Sequence, residues 1–567
     1  MNATQLLTHF DRLAEAPDAV PRLRRFILDL AVRGKLVEQD AKDEPATALL
    51  RRINTAKTQR IKSGEIRNPR EIDFADDEKR LFEVPSTWQW VRLADAGAVV
   101  GGGTPPSGDS SNFTDGGKGV GWLTPADLGK HRGLFIDHGA RDLTRSGMDA
   151  GSATLMPPGA VLFTSRAPIG YVAIAANEIS TNQGFKSVVP YLPECSRYIA
   201  TYLQAFGPWI DSKATGTTFK EVSGKIVSGL PFPLPPLAEQ HRIVAKVDEL
   251  MALCDQLDAA QQERERRRDR LAAASLQRLN QPAEENPATD QTEPAEARQQ
   301  AQREQQKDHA RFHLQNLQRL TTRPEHIKAT RQTIRNLAIT GRLATQSRND
   351  EPASTLLELN VRWRIAAIKR KQIRDPRKEL AEVDHEFTPY ELPVGWAWAR
   401  IGEVIYIQSG DGLTAANMKE GSIPVFGGNG INGHHDAFNV EAPTLVIGRV
   451  GYYCGSIHIT PERAWVTDNA FVTHFCPELF SLRFLALLLM STNLKENEGA
   501  TAQPVISGSK IYPIVVGVPP LAEQHRIVAK VDELMALCDQ LEAQLTRSQT
   551  DSRRLLEAVL DAALAPA

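Results

Sequence analysis

Arg, Asn, Gln, Lys and Thr side chains recur in Gly-containing segments between short apolar runs, in two separate regions of the chain. The first region contains GGGTPPSG (101–108), TSRAPIG (164–170), STNQGFK (180–186) and KATGTTFKEVSGK (213–225). The second contains QSGDGL (408–413), PVFGGNGING (424–433), IGRVG (447–451), TDNAF (467–471) and ATAQPVISGS (500–509). These residue types read base edges in the major groove or hold phosphates, and Gly lets the backbone approach closely. Taken singly, each segment is also explained as a hairpin turn; taken together, they favour a recognition surface.

Eight residues of these segments are the candidate DNA contacts. Arg166 and Arg449 each follow a β-rich run, and we predict that they occupy similar places and touch a phosphate or a guanine. The alternative is that each arginine orders its own hairpin. The further candidates, on the same reasoning, are Lys186, Thr217, Thr218, Lys220, Asn429 and Asn432.

Catalytic motifs are not found in the sequence. GNGING (428–433) matches GxGxxG, but HHDAFN follows it in place of the helix that would receive a pyrophosphate. There is no GxxxxGK[ST] segment for ATP and no [NDS]PP[YFW] tetrapeptide of the kind that holds a target nitrogen in amino-methyltransferases. His434, His435, His458 and His474 are scattered, so we expect no metal site.

The elements that must position these loops form a tandem repeat. PPLAEQHRIVAKVDELMALCDQL occurs without change at 235–257 and at 519–541. Upstream of each copy, LTHFDRLAEAPDAV (7–20) matches LQNLQRLTTRPEHI (314–327), and PSTWQW (85–90) matches PVGWAW (393–398). The offset falls from 308 at the Trp segments to 284 at PPLAEQ, so the second insert is 24 residues shorter. A fixed frame therefore holds two variable inserts.

The 23-residue repeat predicts a helix. Pro is tolerated in its first turn, where the N–H groups lack intrahelical partners, and Glu239 or Glu523 suits the positive helix end. Apolar residues recur at spacings of 4, 3, 4 and 3, as in a coiled coil. We expect these residues to form a helix or subunit interface: Ile243, Val247, Leu250, Cys254, Leu257, Ile527, Val531, Leu534, Cys538 and Leu541. A core-facing helix explains that periodicity, but it leaves unexplained why surface positions such as Lys246, Asp248 and Asp255 are identical.

The inserts carry short β-branched runs cut by Gly, Asn and Pro, which predict strands and hairpins. The expected fold is α/β (α+β), with two variable domains of short strands joined by long antiparallel coiled-coil-like helices in a pseudo-twofold tandem repeat. The predicted boundaries are a helical region at 1–84, domain 1 at 85–234, a conserved helix at 235–280, a low-complexity linker at 281–307, a second helical region at 308–392, domain 2 at 393–518 and a conserved helix at 519–567. We also predict that the tail at 542–567 packs on residues 1–40.

Charge is balanced. The 567-residue chain has a net charge of −2; residues 88–234 carry 12 Lys or Arg against 11 Asp or Glu, and residues 396–518 carry 7 against 10. Because phosphate neutralisation needs cations, we predict weak DNA binding by the isolated chain. The sequence shows no CxxC pair, no apolar run of membrane-spanning length and no signal peptide at its start, so we expect a cytoplasmic protein.

The combined motifs resemble the specificity subunit of type I restriction-modification systems. PLPPLAEQHRIVAKVDEL is similar to the conserved-region helix of that family, and PSTWQW and PVGWAW to the P-x-x-W-x-W segment that begins each target recognition domain. ATGTTFKEVSGKIVSGLPFPLPP (214–236) and IPVFGGNGINGHH (423–435) are similar to segments inside such domains. The resemblance covers nearly the whole chain, with 281–306 outside it.

The resemblance implies a non-catalytic subunit that chooses a double-stranded DNA site. Each domain would read half of a bipartite asymmetric target, and the conserved helices would set the spacer and dock two methyltransferase subunits. S-adenosylmethionine, ATP and Mg would bind to partner subunits, including two restriction subunits for cleavage, and no membrane is involved. The alternatives are a coiled-coil scaffold that presents two protein-binding domains, and a bifunctional enzyme, which the absence of a paired catalytic set disfavours.

Overall fold

A computed structural model describes residues 16, 18–66, 81–166, 168–215, 220–280, 305, 308–313, 315–373, 383, 390–451, 453–494 and 505–564. The chain divides into two units, residues 1–263 with 549–567 (unit 1) and residues 264–548 (unit 2). The predicted linker at 281–307 lies outside the described residues, apart from Gln305. Both divisions fall inside long helices, so each unit includes the C-terminal part of the other half's conserved helix.

Unit 1 contains the lead helices of the first half and domain 1. Its helices are α1 (Ala19–Val32), α2 (Ala46–Lys62), α3 (Leu93–Ala96), α4 (Pro125–Lys130), α5 (Arg145–Ala150), α6 (Ser196–Ser212), α7 (Gly224–Ser228) and the first part of α8 (Leu237–Asn280). Its strands are β1 (Gln89–Arg92), β2 (Gly97–Gly101), β3 (Phe113–Asp115), β4 (Val120–Leu123), β5 (Phe135–Ile136), β6 (Arg141–Leu143), β7 (Val161–Phe163), β8 (Val172–Ala175), β9 (Ile179–Thr181), β10 (Lys186–Pro190) and β11 (Pro231–Leu234). A five-stranded sheet has the order β2-β10-β7-β8-β5, and a four-stranded sheet has the order β3-β6-β4-β9.

Within the described residues, unit 2 repeats this plan with fewer strands. Its helices are α9 (Leu317–Leu320), α10 (Pro324–Ile339), α11 (Ala353–Lys369), α12 (Ile401–Val404), α13 (Leu482–Ser491), α14 (Gly508–Ile511) and the first part of α15 (Leu521–Leu564). Its strands are β12 (Ala397–Arg400), β13 (Tyr406–Ser409), β14 (Ile423–Gly427), β15 (Gly430–His435), β16 (Leu445–Gly448), β17 (Ile457–Ile459), β18 (Trp465–Val466), β19 (Ala470–His474) and β20 (Val515–Val518). The sheets are β13-β19-β16-β17 and β15-β14-β18. The predicted α+β class, with two short-stranded domains and long helices, is confirmed.

Each domain begins and ends on one two-stranded antiparallel ribbon. In domain 1, β1 of the Trp segment pairs with β11, which leads into α8, from Gln89 opposite Leu234 to Arg92 opposite Pro231. In domain 2, β12 pairs with β20 in the same way. The insert is thus closed at its base, and its interior can vary without moving the frame.

A glycine after the first lead helix fixes how the frame meets the Trp segment. Gly34 has φ +69°, and a Cβ there would stand 2.5 Å from Pro85. Gly341 has φ +71°, and its Cβ would stand 2.3 Å from Pro393. Only glycine combines left-handed backbone with such close approach, which explains why the matching segments LAVRGKL (30–36) and LAITGRL (337–343) both contain Gly.

The apolar seam of the repeated helix lies in the core of its own unit. Ile243, Val247 and Cys254 are buried, with Leu250 and Leu257 half-buried, in a cluster that includes residues of α1 and α2. In unit 2, Ile527, Val531, Leu534 and Cys538 are buried, and Leu541 is half-buried. The seam therefore joins each long helix to its own lead helices, and its face is occupied.

Repeated ion pairs account for part of the identity between the two long helices. Arg197 pairs with Asp248 at 2.7 Å, and Arg483 pairs with Asp532 at 2.6 Å. Asp255 pairs with Arg24, and its counterpart Asp539 pairs with Arg331. Asp248 and Asp255 thus have intramolecular partners that the duplication also repeats, so a core-facing helix does account for the identity of these two positions.

The C-terminal part of α15 packs against the start of α1 within unit 1. Leu556 and Val559 share a small buried cluster with Ala16 and Ala19. The predicted contact between 542–567 and 1–40 is therefore confirmed.

Candidate nucleic-acid interface

Two parallel strands end side by side in each domain and pass into the polar loops. In domain 1 these are β4 and β9, where Leu123 lies opposite Thr181. The backbone N–H of Asn182 continues this pairing by donating to the carbonyl of Leu123 at 2.9 Å. In domain 2 they are β14 and β18, where Phe426 lies opposite Val466. The same strand pair thus anchors the loops of both domains.

A third loop packs against these strand ends in domain 1. The N–H of Gly103 donates to the carbonyl of Thr181 at 2.8 Å. A Cβ at Gly102 would stand 2.0 Å from the carbonyl oxygen of Asn182, so this approach requires glycine. The Thr104 hydroxyl also hydrogen-bonds to Gln183. GGGTPPSG and STNQGFK, which are far apart in sequence, are therefore neighbours in one surface.

An asparagine joins the equivalent loops of domain 2. The side chain of Asn439 donates to Asp411 Oδ2 and to the carbonyl of Val466, both at 2.9 Å, and its Oδ1 accepts from the Val466 N–H at 2.7 Å. The N–H of Asp411 donates to the same carbonyl at 3.0 Å. QSGDGL is thereby held against β18.

In domain 1, the carboxylate of Glu221 pairs with two residues that are predicted to contact DNA, Arg166 and Lys186. Arg166 Nε donates to Glu221 Oε2 at 2.8 Å, and Lys186 Nζ lies 3.3 Å from Glu221 Oε1. Partial burial opposes the charge of Glu221, but hydrogen bonds from Arg166 and Lys186 hold its pKa below the ordinary value. Arg166 also forms a β-bridge with Glu221. The side chains of Arg166 and Lys186 therefore both contact Glu221.

The second predicted arginine is held differently. The Arg449 guanidinium lies 5.4 Å from the centre of the Phe471 ring, and its Nη1 is 3.4 Å from Ser409 Oγ. It is half-buried on the loop surface. Both arginines therefore lie among the convergent loops, and each contacts a residue of another segment of its domain.

The two arginines are not structural counterparts. The Ser165 carbonyl accepts from the Val222 N–H at 2.9 Å, and the Arg449 carbonyl accepts from the Ile506 N–H at 2.9 Å. Arg449 is thus equivalent to Ser165, and Arg166 to Val450, which forms a β-bridge with Val505. The prediction that Arg166 and Arg449 occupy similar places is therefore wrong, because their positions differ by one residue. In extended backbone, a shift of one residue turns the side chain to the opposite face.

The domains differ most where the chain leaves the first of the parallel strands. After β4, Thr124 begins α4 with a capping box to Asp127. After β14, the chain turns at Gly428 and Asn429 and returns as β15. GNGING is therefore a hairpin, and no helix follows it. Asn429 in the turn and Asn432 in β15 are both exposed, and Ile431, also in β15, is 57% exposed.

The remaining predicted contacts are only partly placed. Lys220 is described and exposed, next to Glu221. Thr217 and Thr218 lie outside the described residues. Within the described ranges, no three His, Cys, Asp or Glu side chains are grouped so as to hold a metal ion.

The chain matches the family described as "Type I restriction modification DNA specificity domain" over residues 85–265 and 393–548. It belongs to this family. The two matched segments begin at the two Trp segments, so domains 1 and 2 are specificity domains, and the resemblance drawn from the Trp and PPLAEQ motifs is confirmed.

Relatives span almost the whole chain. It is 27% identical over 606 residues to the type I restriction enzyme EcoEI specificity subunit of Escherichia coli, covering 96% of this chain and 94% of that protein. It is 25% identical over 600 residues to the EcoAI specificity subunit of the same organism, with the same coverage. A solved HsdS subunit from Thermoanaerobacter tengcongensis gives a TM-score of 0.40 at 18% identity, covering 86% of this chain and 98% of that one.

Sequence reasoning did not single out three residues of the specificity domains that the fold makes central. Glu221 pairs with two cations, Asn439 joins two loops, and Ile431 is an exposed apolar residue of β15 beside the hairpin turn. The only signal for Glu221 is that it is the single acid in KATGTTFKEVSGK. Asn439 and Ile431 carry no pattern that distinguishes them from ordinary loop residues.

None of the helices in the described part of the chain combines the length and apolar character that crossing a bilayer requires.

Proposed function

We propose that this chain is the non-catalytic DNA-recognition subunit of a type I restriction-modification complex and that domains 1 and 2 each read half of a bipartite target. The observation that carries the proposal is one backbone plan bearing different side chains at the recognition surface. Arg166 and Glu221 stand where domain 2 has Val450 and Val505, and α4 stands where domain 2 has a hairpin. A common scaffold with divergent loop chemistry suits two domains that do one task on different sequences.

Two identical exposed stripes on the long helices supply a docking surface for two copies of one partner. The stripe on α8 consists of His241, Ala245, Glu249, Ala252, Leu253 and Gln256, all exposed. Its copy on α15 consists of His525, Ala529, Glu533, Ala536, Leu537 and Gln540, also exposed. Leu253 is 52% and Leu537 37% exposed. Spacings of three and four residues place each set on one helical face.

The partner proposed for each stripe is an adenine methyltransferase subunit that binds S-adenosylmethionine. Restriction subunits, two for a complete complex, would supply ATP- and Mg-dependent cleavage. The near-balanced charge of both domains suits a chain that binds DNA weakly by itself and relies on partners for many phosphate contacts. The chain itself would carry no cofactor and would act in the cytoplasm.

The methylation pattern of DNA tests the recognition proposal. Genomic DNA is sequenced for modified adenine in cells that express this chain with its neighbouring methyltransferase. We expect modification at one two-part motif with a fixed gap. Random or absent modification, with the methyltransferase shown to be expressed and bound, would contradict the proposal.

Stoichiometry tests the docking proposal. Leu253→Glu should reduce the number of bound methyltransferase subunits from two to one, and the double variant with Leu537→Glu should bind none, as measured by native mass spectrometry. The matched control is Leu271→Glu, because Leu271 is also 52% exposed on α8 but lies outside the stripe. Two methyltransferases still bound to the double variant would exclude this surface.

A further inference from the structure

Glu221 is at the centre of three backbone segments in domain 1. It forms antiparallel bridges with both Thr215 and Arg166. The Glu221 N–H donates to the Thr215 carbonyl at 3.0 Å, and the Thr215 N–H donates back to Glu221 at 3.1 Å. The next residue, Val222, donates to Ser165 at 2.9 Å. The backbone around Glu221 is therefore fixed from two sides.

The side chain of Glu221 extends this connection to the loop after β9. Lys186, its second cation, also donates to the carbonyl of Gln183 at 3.4 Å. Ser165, adjacent to Arg166, donates its N–H to Gly184 at 2.8 Å. One carboxylate thus couples three polar segments that the recognition surface brings together.

Such a charge cluster has a modest effect on stability. Exposed single ion pairs contribute little because water screens them and side-chain entropy opposes them. The side chains of Arg166, Glu221 and Lys186 are 44%, 31% and 18% exposed, so this cluster is partly screened. Its consequence is geometric: with both cations attached to one acid, the loop positions are correlated.

Domain 2 builds the same backbone junction without charge. Val450 and Val505 form the bridge that Arg166 and Glu221 form in domain 1. The Ile506 N–H donates to the Arg449 carbonyl at 2.9 Å, as the Val222 N–H does to Ser165. An apolar pair is therefore sufficient to form this backbone junction, and the carboxylate at this position belongs to domain 1 alone of the two domains.

We propose that Glu221 is a positioning residue for the half-site read by domain 1, and that Arg166 and Lys186 act as its counter-charges rather than as base readers. This inference rests on the proposed DNA-recognition function. In this role Glu221 sets the loop positions from which exposed Lys220 and Gln183 reach DNA. The role of Arg166 and Lys186 thus differs from the direct contact that their residue types predict.

Glu221→Gln should change DNA affinity and sequence discrimination in opposite directions. The substitution releases two cations at the DNA-facing surface, so non-specific affinity should rise and depend more steeply on salt. The loops lose their common anchor, so discrimination at the domain 1 half-site should fall. A residue with a purely structural role would instead lower affinity for every sequence.

The test is the methylation map made with the full chain and its methyltransferase. With Glu221→Gln, modification at sites that carry one wrong base pair in the domain 1 half should rise about tenfold, within the range that one specific contact supplies. Sites with a wrong pair in the domain 2 half should stay unmodified. Glu178→Gln is the matched control, because it makes the same charge change at an exposed position of domain 1.

Arg166→Lys separates positioning from reading. It keeps a cation beside Glu221 but removes the guanidinium that a bidentate guanine contact needs, so it should keep the wild-type motif. Relaxation at one base pair of the domain 1 half in this variant would mean that Arg166 reads DNA and would overturn the inference, as would an unchanged motif in Glu221→Gln. If Glu221→Gln fails to fold, Glu221→Asp takes its place with the same expected relaxation, because it keeps the charge but withdraws the carboxylate from both cations. A wild-type chain that yields no two-part motif would instead count against the proposed function.

Discussion

Single residues determine what each domain presents at backbone positions that the two domains share. Ser165 and Arg449 occupy equivalent positions by their hydrogen bonds, as do Arg166 and Val450. The shared backbone places an arginine over Phe471 in one domain and beside Glu221 in the other. The two domains therefore present different side chains at equivalent backbone positions.

Asn432, an exposed residue of β15 beside the hairpin turn of domain 2, is a candidate base contact. Asn pairs with adenine N6 and N7 through two hydrogen bonds, and such a contact discriminates by about 1–3 kcal/mol. We predict that Asn432→Ala relaxes the motif at one A·T pair of the domain 2 half and leaves the other half unchanged. The control Asn177→Ala removes an exposed amide from domain 1. An unchanged domain 2 half in the Asn432 variant would show that this side chain reads no base.

Glu523 should make stability depend on pH. Burial raises its pKa to about 7, and the nearby Trp396 and Arg526 offset only part of this effect. Its counterpart Glu239 gains a hydrogen bond of 2.7 Å from Gln39, whereas Gln346, at the matching position, donates to Gly341 instead.

Because the folded carboxyl keeps its proton between the ordinary pKa and about 7 while the unfolded one loses it, stability falls as pH rises through that window. Glu523→Gln should therefore be more stable than wild type at pH 8 by on the order of 1–2 kcal/mol, with a smaller difference at pH 5. Guanidinium unfolding at both pH values measures this. A difference that does not change with pH would exclude the ionisation of Glu523 as its cause.

At the scale of elements, the frame is defined by contacts that repeat. Arg242 pairs with Asp43 at 2.6 Å, and Arg526 pairs with Asp350 at 2.5 Å, joining each long helix to a DEPA segment (43–46 or 350–353) of its own half. The paired β1 and β11 close domain 1, as β12 and β20 close domain 2. These contacts keep the ends of each insert fixed whatever its interior contains.

Alanine substitution at two glycines tests how closely the first lead helix packs against the Trp segment. Gly34 and Gly64 both follow helix ends with positive φ, but a Cβ at Gly64 meets nothing within 4 Å. Gly64→Ala should cost about 1 kcal/mol for left-handed backbone alone. Gly34→Ala should cost about 3 kcal/mol or more, because Pro85 must also move. Denaturant unfolding compares them, and equal losses would show that the contact with Pro85 is not tight.

Much of the frame could be predicted from the sequence because repetition marks it. The unchanged 23 residues and the Trp segments both form contacts between the expected elements. The loops were predictable as a group, since strand ends bring Gly-containing segments together. The one-residue offset between Arg166 and Arg449 could not be predicted, because a shift of one residue leaves the composition of the segment unchanged. The replacement of α4 by a hairpin also leaves no repeated pattern.

At the scale of the whole molecule, the chain is two reading domains in one duplicated frame. The Trp segment and PPLAEQ mark the same two junctions in both halves, so one domain should fit in the place of the other. The target of the complex should then follow the domains present, and the gap should follow the frame.

The most direct test of one half-site per domain uses a chain in which residues 393–518 are replaced by residues 85–234. This chain is expressed with its methyltransferase, and its methylation motif is determined. We predict that the motif then contains the bases of the domain 1 half on both sides of an unchanged gap, with the domain 2 bases no longer required. A motif that still requires the domain 2 bases would contradict the assignment of one half-site to each domain.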